Sequence, residues 1–194
     1  MVKRALGGII AAVLLAPLAG CPCDSGLPDL FYDDFQAVCG GVPCEWTVAA
    51  GDVVSTESFH AGERGMRLAV GGDVSRALPD VGLPSAADEG ALISLLVACD
   101  DQTTLVIEVE ATSVVPARVS GEPEDIVLEA RREPIPGERY GGVIGRESLP
   151  LLLPSGEEVP AATATGMRIT IEGPGACIID ELHIAGARSF FCEG

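Results

Sequence analysis

Lysine is almost missing from this chain: Lys3 is the only one, and the other 11 of its 12 basic residues are arginine. Against 29 acidic residues this leaves a formal net charge of −17, a surface that repels nucleic acid and anionic lipid headgroups and draws cations or basic partners. Aromatics are scarce as well. Trp46, Tyr32, Tyr140 and five phenylalanines make up 4% of the residues, so few rings are on hand for stacking a ligand. Histidine occurs twice, as His60 and His183, and no Cys-x-x-Cys pair is present, which leaves a zinc site short of ligands. There is no Gly-x-Ser-x-Gly elbow for a hydrolase nucleophile. The glycine-bearing stretches Gly62-Glu63-Arg64-Gly65 and Gly137 to Gly145 neither follow a strand nor open a helix, as a phosphate loop requires. Catalysis therefore has no motif to rest on, and the chain reads as a non-enzyme.

What is present begins at the N-terminus. Lys3 and Arg4 precede an apolar run of 15 residues, Ala5 to Ala19, short of the roughly 20 that a spanning helix needs. The run ends in Leu18-Ala19-Gly20-Cys21. An ordinary secretory cut wants small residues at the last and third-last positions. Cutting after Gly20 puts Leu18 third from last, and cutting after Ala19 puts Pro17 there. The segment resembles instead a bacterial lipoprotein signal peptide with its lipobox. That resemblance implies removal of residues 1–20, a diglyceride on the Cys21 sulfur and attachment to a membrane without spanning it. Residue 22 is Pro rather than Asp, which by the enteric sorting pattern points to the outer membrane of the cell envelope. Residues 21–28 form a short tether of eight residues, reaching at most about 27 Å. The mature chain would carry ten cations, all arginine, against 29 acids.

Beyond Cys21 lie six cysteines: Cys23, Cys39, Cys44, Cys99, Cys177 and Cys192. In an oxidising compartment six cysteines imply three disulfides, for which 15 connectivities exist. We expect Cys39 with Cys44 across the turn Gly40-Gly41-Val42-Pro43, Cys99 with Cys177 between strands, and Cys23 with Cys192 near the termini.

Residues 29–194 suit one domain, and strand signals dominate it. Thr104 to Glu110 puts Leu105, Ile107 and Val109 on one face; Met167 to Glu172 alternates likewise, and Asp125 to Arg131 roughly so. Ala91 to Ala98 is apolar on both faces and reads as a central strand. Further strands are expected at Leu30 to Gln36, Glu45 to Ala49, Val53 to Phe59, Met66 to Val70, Tyr140 to Ile144, Leu149 to Leu153 and Cys177 to Ile184. Gly, Pro, Asp and Ser turns separate them, and no segment after the leader carries a helical period. The fold class is all-β, a single sandwich. In the closing strand Asp180 is expected to share a face with Ile178, Leu182 and Ile184, where a carboxylate needs a partner.

The opening Phe31-Tyr32-Asp33-Asp34-Phe35, then Trp46, then Phe59 to Leu68, and the closing Gly173 to Ile184 resemble galactose-binding-like jelly rolls, which include many carbohydrate-binding modules. The resemblance implies a jelly-roll sandwich and a structural calcium ion held by Asp33 or Asp34 with Asp180, completed by carbonyls or water. It also implies glycan binding on exposed rings. Tyr140, in Arg139-Tyr140-Gly141-Gly142, and Trp46 are the candidates, although Trp46 also reads as core. The functional expectation is a noncatalytic, membrane-anchored envelope lipoprotein that binds a ligand, a glycan foremost. The alternative is a structural or assembly lipoprotein contacting another envelope protein.

Overall fold

A computed structural model of the chain describes residues 29–57, 63–86, 90–114, 123–137, 145–157 and 159–186. Cys21, Cys23, His60, Tyr140, Cys192 and the expected strand Tyr140 to Ile144 lie outside them. Among the described residues there is no helix. Thirteen strands follow in order: β1 Phe31–Asp33, β2 Val38–Cys39, β3 Val42–Pro43, β4 Thr47–Ala50, β5 Val53–Glu57, β6 Arg64–Leu68, β7 Asp73–Leu83, β8 Ala91–Cys99, β9 Thr104–Ser113, β10 Asp125–Arg132, β11 Gly145–Pro150, β12 Ala162–Glu172 and β13 Cys177–Gly186.

They build a six-stranded sheet, β11-β8-β13-β6-β5 with β1 also on β13, and a five-stranded sheet, β10-β9-β12-β7-β4. All pairings are antiparallel. The two inner faces share one core. Met66, Leu68, Ile93, Leu95, Ile179 and Leu182 come from the first sheet, and Val74, Leu105, Ile107, Val109, Met167 and Ile169 from the second. This is the all-β sandwich expected from the alternation, and β9 places Leu105, Ile107 and Val109 inside as its period demands. Strand β8, buried along both faces except at Leu96, is central as its apolar run requires.

The strand expected at Leu30 to Gln36 is only Phe31–Asp33, and two further departures bear on the site. Strand β7, absent from the expected strands, runs through the interior of the five-stranded sheet between β12 and β4. Its Pro79 disguises it, since proline cannot donate to a ladder. The structure accommodates it at an irregularity: between Ala77 and Val81 the register with β12 slips, so Pro79 has no ladder bond to supply. The other correction concerns Asp180. Between Asp180 and His183 strand β13 carries one residue more than β8, a β-bulge at Glu181, whose φ is +45°. The extra residue inverts the phase. Ile179 points into the core before the bulge, Leu182 and Ile184 after it, and Asp180 shares its face with Ile178 but not with Leu182 or Ile184. The bulge falls where β13 exchanges one edge partner, β6 along Cys177 to Ile179, for another, β1 along Leu182 to Ile184.

Two disulfides are present among the described residues, both as expected. Cys99–Cys177 ties the paired ends of β8 and β13, and Cys39–Cys44 closes the β2-β3 hairpin. That hairpin turns through Gly40 and Gly41, at φ +64° and +92°, a two-residue turn that needs positive φ at both central residues.

Candidate ligand-binding pocket

Strand β1 has only three residues, and its alternation sets up the site. Phe31 and Asp33 turn toward the sandwich interior while Tyr32 turns out, 49% exposed. Register places Tyr32 opposite His183, and their rings stack at 4.5 Å with a 39° tilt. His183 is fixed in turn from behind, its Nδ1 3.1 Å from Asp29 Oδ2.

Asp33 organises the inner side. Its Oδ1 accepts the Phe35 backbone N–H at 2.8 Å, a local turn that carries Phe35 to φ +54° and buries its ring. Its Oδ2 accepts the Trp46 indole N–H at 2.8 Å and a guanidinium N–H from Arg76. Arg76, on β7, also donates to Glu45, a residue held at φ +69°, and its guanidinium carbon lies 5.0 Å from the Phe31 ring centroid. Arg76 Nε is buried without a hydrogen-bond partner. The Asp33–Arg76 tie joins β1 of one sheet to β7 of the other, with both side chains largely buried.

Between these groups opens a pocket of about 290 Å³, walled by Tyr32, Asp33, Asp34, Glu45 and Arg76, with Cys44 of the hairpin disulfide at its edge. Asp34 is exposed; its Oδ1 accepts the Gln36 backbone N–H at 3.1 Å. Partial burial, and then the carboxylates of Asp34, Glu181, Asp180 and Glu63, push the Tyr32 phenol above its ordinary range. It is therefore a neutral donor at any physiological pH.

The expected site residues are distributed unevenly about this pocket. Asp33 and Asp34 line it, and Asp180 is near enough to act on Tyr32, but the three do not form a ligand set. Among the described residues no three His, Cys, Asp or Glu side chains come together as a metal ion needs. Asp33 has both oxygens occupied by N–H donors, one of them a cation, and Asp180 accepts the Glu181 backbone N–H at 2.8 Å while 1% exposed. This arrangement does not fit a calcium ion. Trp46 is corrected from platform to core: it is 5% exposed, packs 5.9 Å from Phe35 and spends its one donor on Asp33. Tyr140 lies outside the described residues. Tyr32, Glu45 and Arg76 were missed. The signal for Tyr32 was there, since Phe31 and Asp33 flanking it in a strand turn it outward; nothing in the chain links Arg76 to Asp33, 43 residues away.

The four aromatic rings among the described residues, Phe31, Tyr32, Phe35 and Trp46, gather at this end of the sandwich, and Tyr32 alone among them is exposed. The outer face of the five-stranded sheet carries charges instead, including Asp73 bidentate to Arg168 at 2.9 and 2.7 Å and Arg131 paired with Glu172.

No protein-family model matches the chain, and no curated protein does. Solved structures similar to it include the family 22 xylan-binding domain from Paenibacillus barcinonensis, at 16% identity over 83% of this chain and 96% of that one, with a TM-score of 0.49. A family 11 carbohydrate-binding module from Clostridium thermocellum, in complex with a mixed-linked β-1,3-1,4 tetrasaccharide, is 14% identical over 80% and 94%, with a TM-score of 0.47. A cleaved adhesin domain of Lys-gingipain from Porphyromonas gingivalis is 15% identical over 80% and 97%, at 0.44. At such identities the likeness concerns the fold alone.

Proposed function

We propose that this protein is a noncatalytic glycan-binding module kept at the cell envelope by a lipid on Cys21, and that the pocket beside Tyr32 is its sugar site. The observation that carries the reading is the Tyr32 ring. It is half exposed, braced by His183, and set at the mouth of a pocket walled by carboxylates and a guanidinium. A pyranose presents a face of C–H groups that rests on such a ring, and a rim of hydroxyls that bonds to planar charged groups beside it. The resemblance of the opening and closing strands to carbohydrate-binding modules points the same way.

The test is a glycan-array and envelope-polysaccharide screen on residues 21–194 carrying Cys21→Ser, folded oxidised. A reproducible hit that Tyr32→Ala abolishes, with the circular dichroism spectrum and melting temperature kept, is the expected result. A well-folded sample that binds no glycan, or a hit indifferent to Tyr32→Ala, overturns the sugar site and leaves the contact with another envelope protein as the reading to pursue by crosslinking.

A further inference from the structure

The pocket also has a charge preference, and the argument for it rests on the glycan reading above. Two arginines approach the site, and both are committed. Arg76 is divided between Asp33 and Glu45 with its face on Phe31, and Arg146 reaches from β11 to Glu181. Arg64 opens β6, does not line the pocket and donates to the Ser55 hydroxyl at 3.5 Å. His183 is met by Asp29. The carboxylates of Asp34, Glu181, Asp180 and Glu63 all act on the exposed phenol. Asp34 is the one of these that lines the pocket, and it has no ion-pair partner among the described residues. The mouth of the cavity thus presents an aromatic face and an uncompensated carboxylate side by side, while Arg76 and Arg146 are already paired with carboxylates.

We infer that the sugar taken by this pocket carries a free amino group, as a de-N-acetylated amino sugar does. Its ammonium lies against the Tyr32 ring and donates to Asp34. Both contacts favour a cation, the first through the ring quadrupole and the second as a charge-assisted hydrogen bond. Uronic, sulfated and phosphorylated glycans are disfavoured by the same carboxylates.

The experiment compares short oligomers of glucosamine, of N-acetylglucosamine and of xylose, all of one length, by titration calorimetry on the oxidised chain with Cys21→Ser. The free-amine oligomer is expected to bind about tenfold more tightly than its acetylated counterpart, with the gap narrowing as salt rises toward 0.2 M. Asp34→Asn should close most of that gap, by weakening the free-amine oligomer rather than by tightening the acetylated one. Glu110→Gln, on the outer face of the five-stranded sheet, should leave the gap intact. Equal or weaker binding of the free amine overturns the inference while the glycan reading stands. So does a Glu110→Gln effect as large as that of Asp34→Asn, because the preference is then bulk attraction to an acidic protein. Failure of all three oligomers, together with a negative glycan array, sinks the glycan reading itself.

Discussion

At the scale of single residues, one carboxylate gathers several partners. Asp33 accepts from Phe35, Trp46 and Arg76 and ties the two sheets together, so its removal leaves a guanidinium short of its main partner in a desolvated setting. Breaking such a pair by deleting one member costs about 3 kcal/mol, much of it the burden of the charge left behind. Asp33→Ala should therefore lose about that much in urea unfolding. Trp46→Phe, which removes one neutral donor and keeps most of the packing, should lose only about 1 kcal/mol. Equal losses in the two variants would contradict the account. Asp73 makes a different kind of pair. The hydrogen bonds from Arg168 hold its carboxyl below the usual range, against a smaller opposing effect of burial. A carboxyl lowered by folding stabilises the protein above its unfolded value of about 3.9, and that stability is lost as pH falls through and below that value. Arg168 is half exposed, so the contribution is at most about 1 kcal/mol. Asp73→Asn should be less stable than the parent at pH 7 and converge with it near pH 2, as followed by thermal melts across the acid range.

At the scale of elements, the two disulfides differ in what they close. Cys99–Cys177 spans 78 residues and Cys39–Cys44 only 5. In the chain-entropy view the longer loop contributes about 4.5 kcal/mol and the shorter about 2 kcal/mol. Urea unfolding of Cys99→Ala/Cys177→Ala and of Cys39→Ala/Cys44→Ala should show that order, and a larger loss from the hairpin pair would contradict it. The hairpin pair was legible because it flanks a turn of two glycines, whereas Cys99–Cys177 rests on the pairing of β8 with β13, which nothing near either cysteine records. The period-two runs β9 and β12 and the mostly apolar run β8 were legible for the same kind of reason as the hairpin, since each pattern is written within a few residues. What stayed hidden depends on a partner strand. Pro79 in β7 is tolerated only because the register with β12 slips beside it, and Asp180 changes face only because Glu181 is an extra residue relative to β8. The pocket divides along the same line. Asp33, Asp34 and Trp46 sit in a recognisable opening segment, whereas His183 reaches it through strand pairing and Arg76 from across the sandwich, neither of which a local pattern records.

At the scale of the whole molecule, the pocket lies at the end where the chain enters the domain. Asp29 meets His183 and the Leu30 N–H bonds the Ile184 carbonyl at 2.9 Å, immediately before Tyr32. If Cys21 carries the lipid, eight residues separate the membrane surface from this entry, so the pocket works within about 30 Å of the bilayer. The chain's net charge of −17 is repelled by anionic headgroups, and the arginines among the described residues are largely paired with acids. Attachment then depends on acyl chains, worth about 0.8 kcal/mol per buried methylene and indifferent to salt. The parent protein should sediment with membranes at both 0.05 M and 1 M salt, although at 1 M the Debye length falls to about 3 Å, and Cys21→Ser should be absent from the membrane pellet at both. Release of the parent by 1 M salt would replace the lipid with an electrostatic partner. Sedimentation of the Cys21→Ser chain would end the anchoring argument, and with it the confinement of the sugar site to the layer next to the membrane.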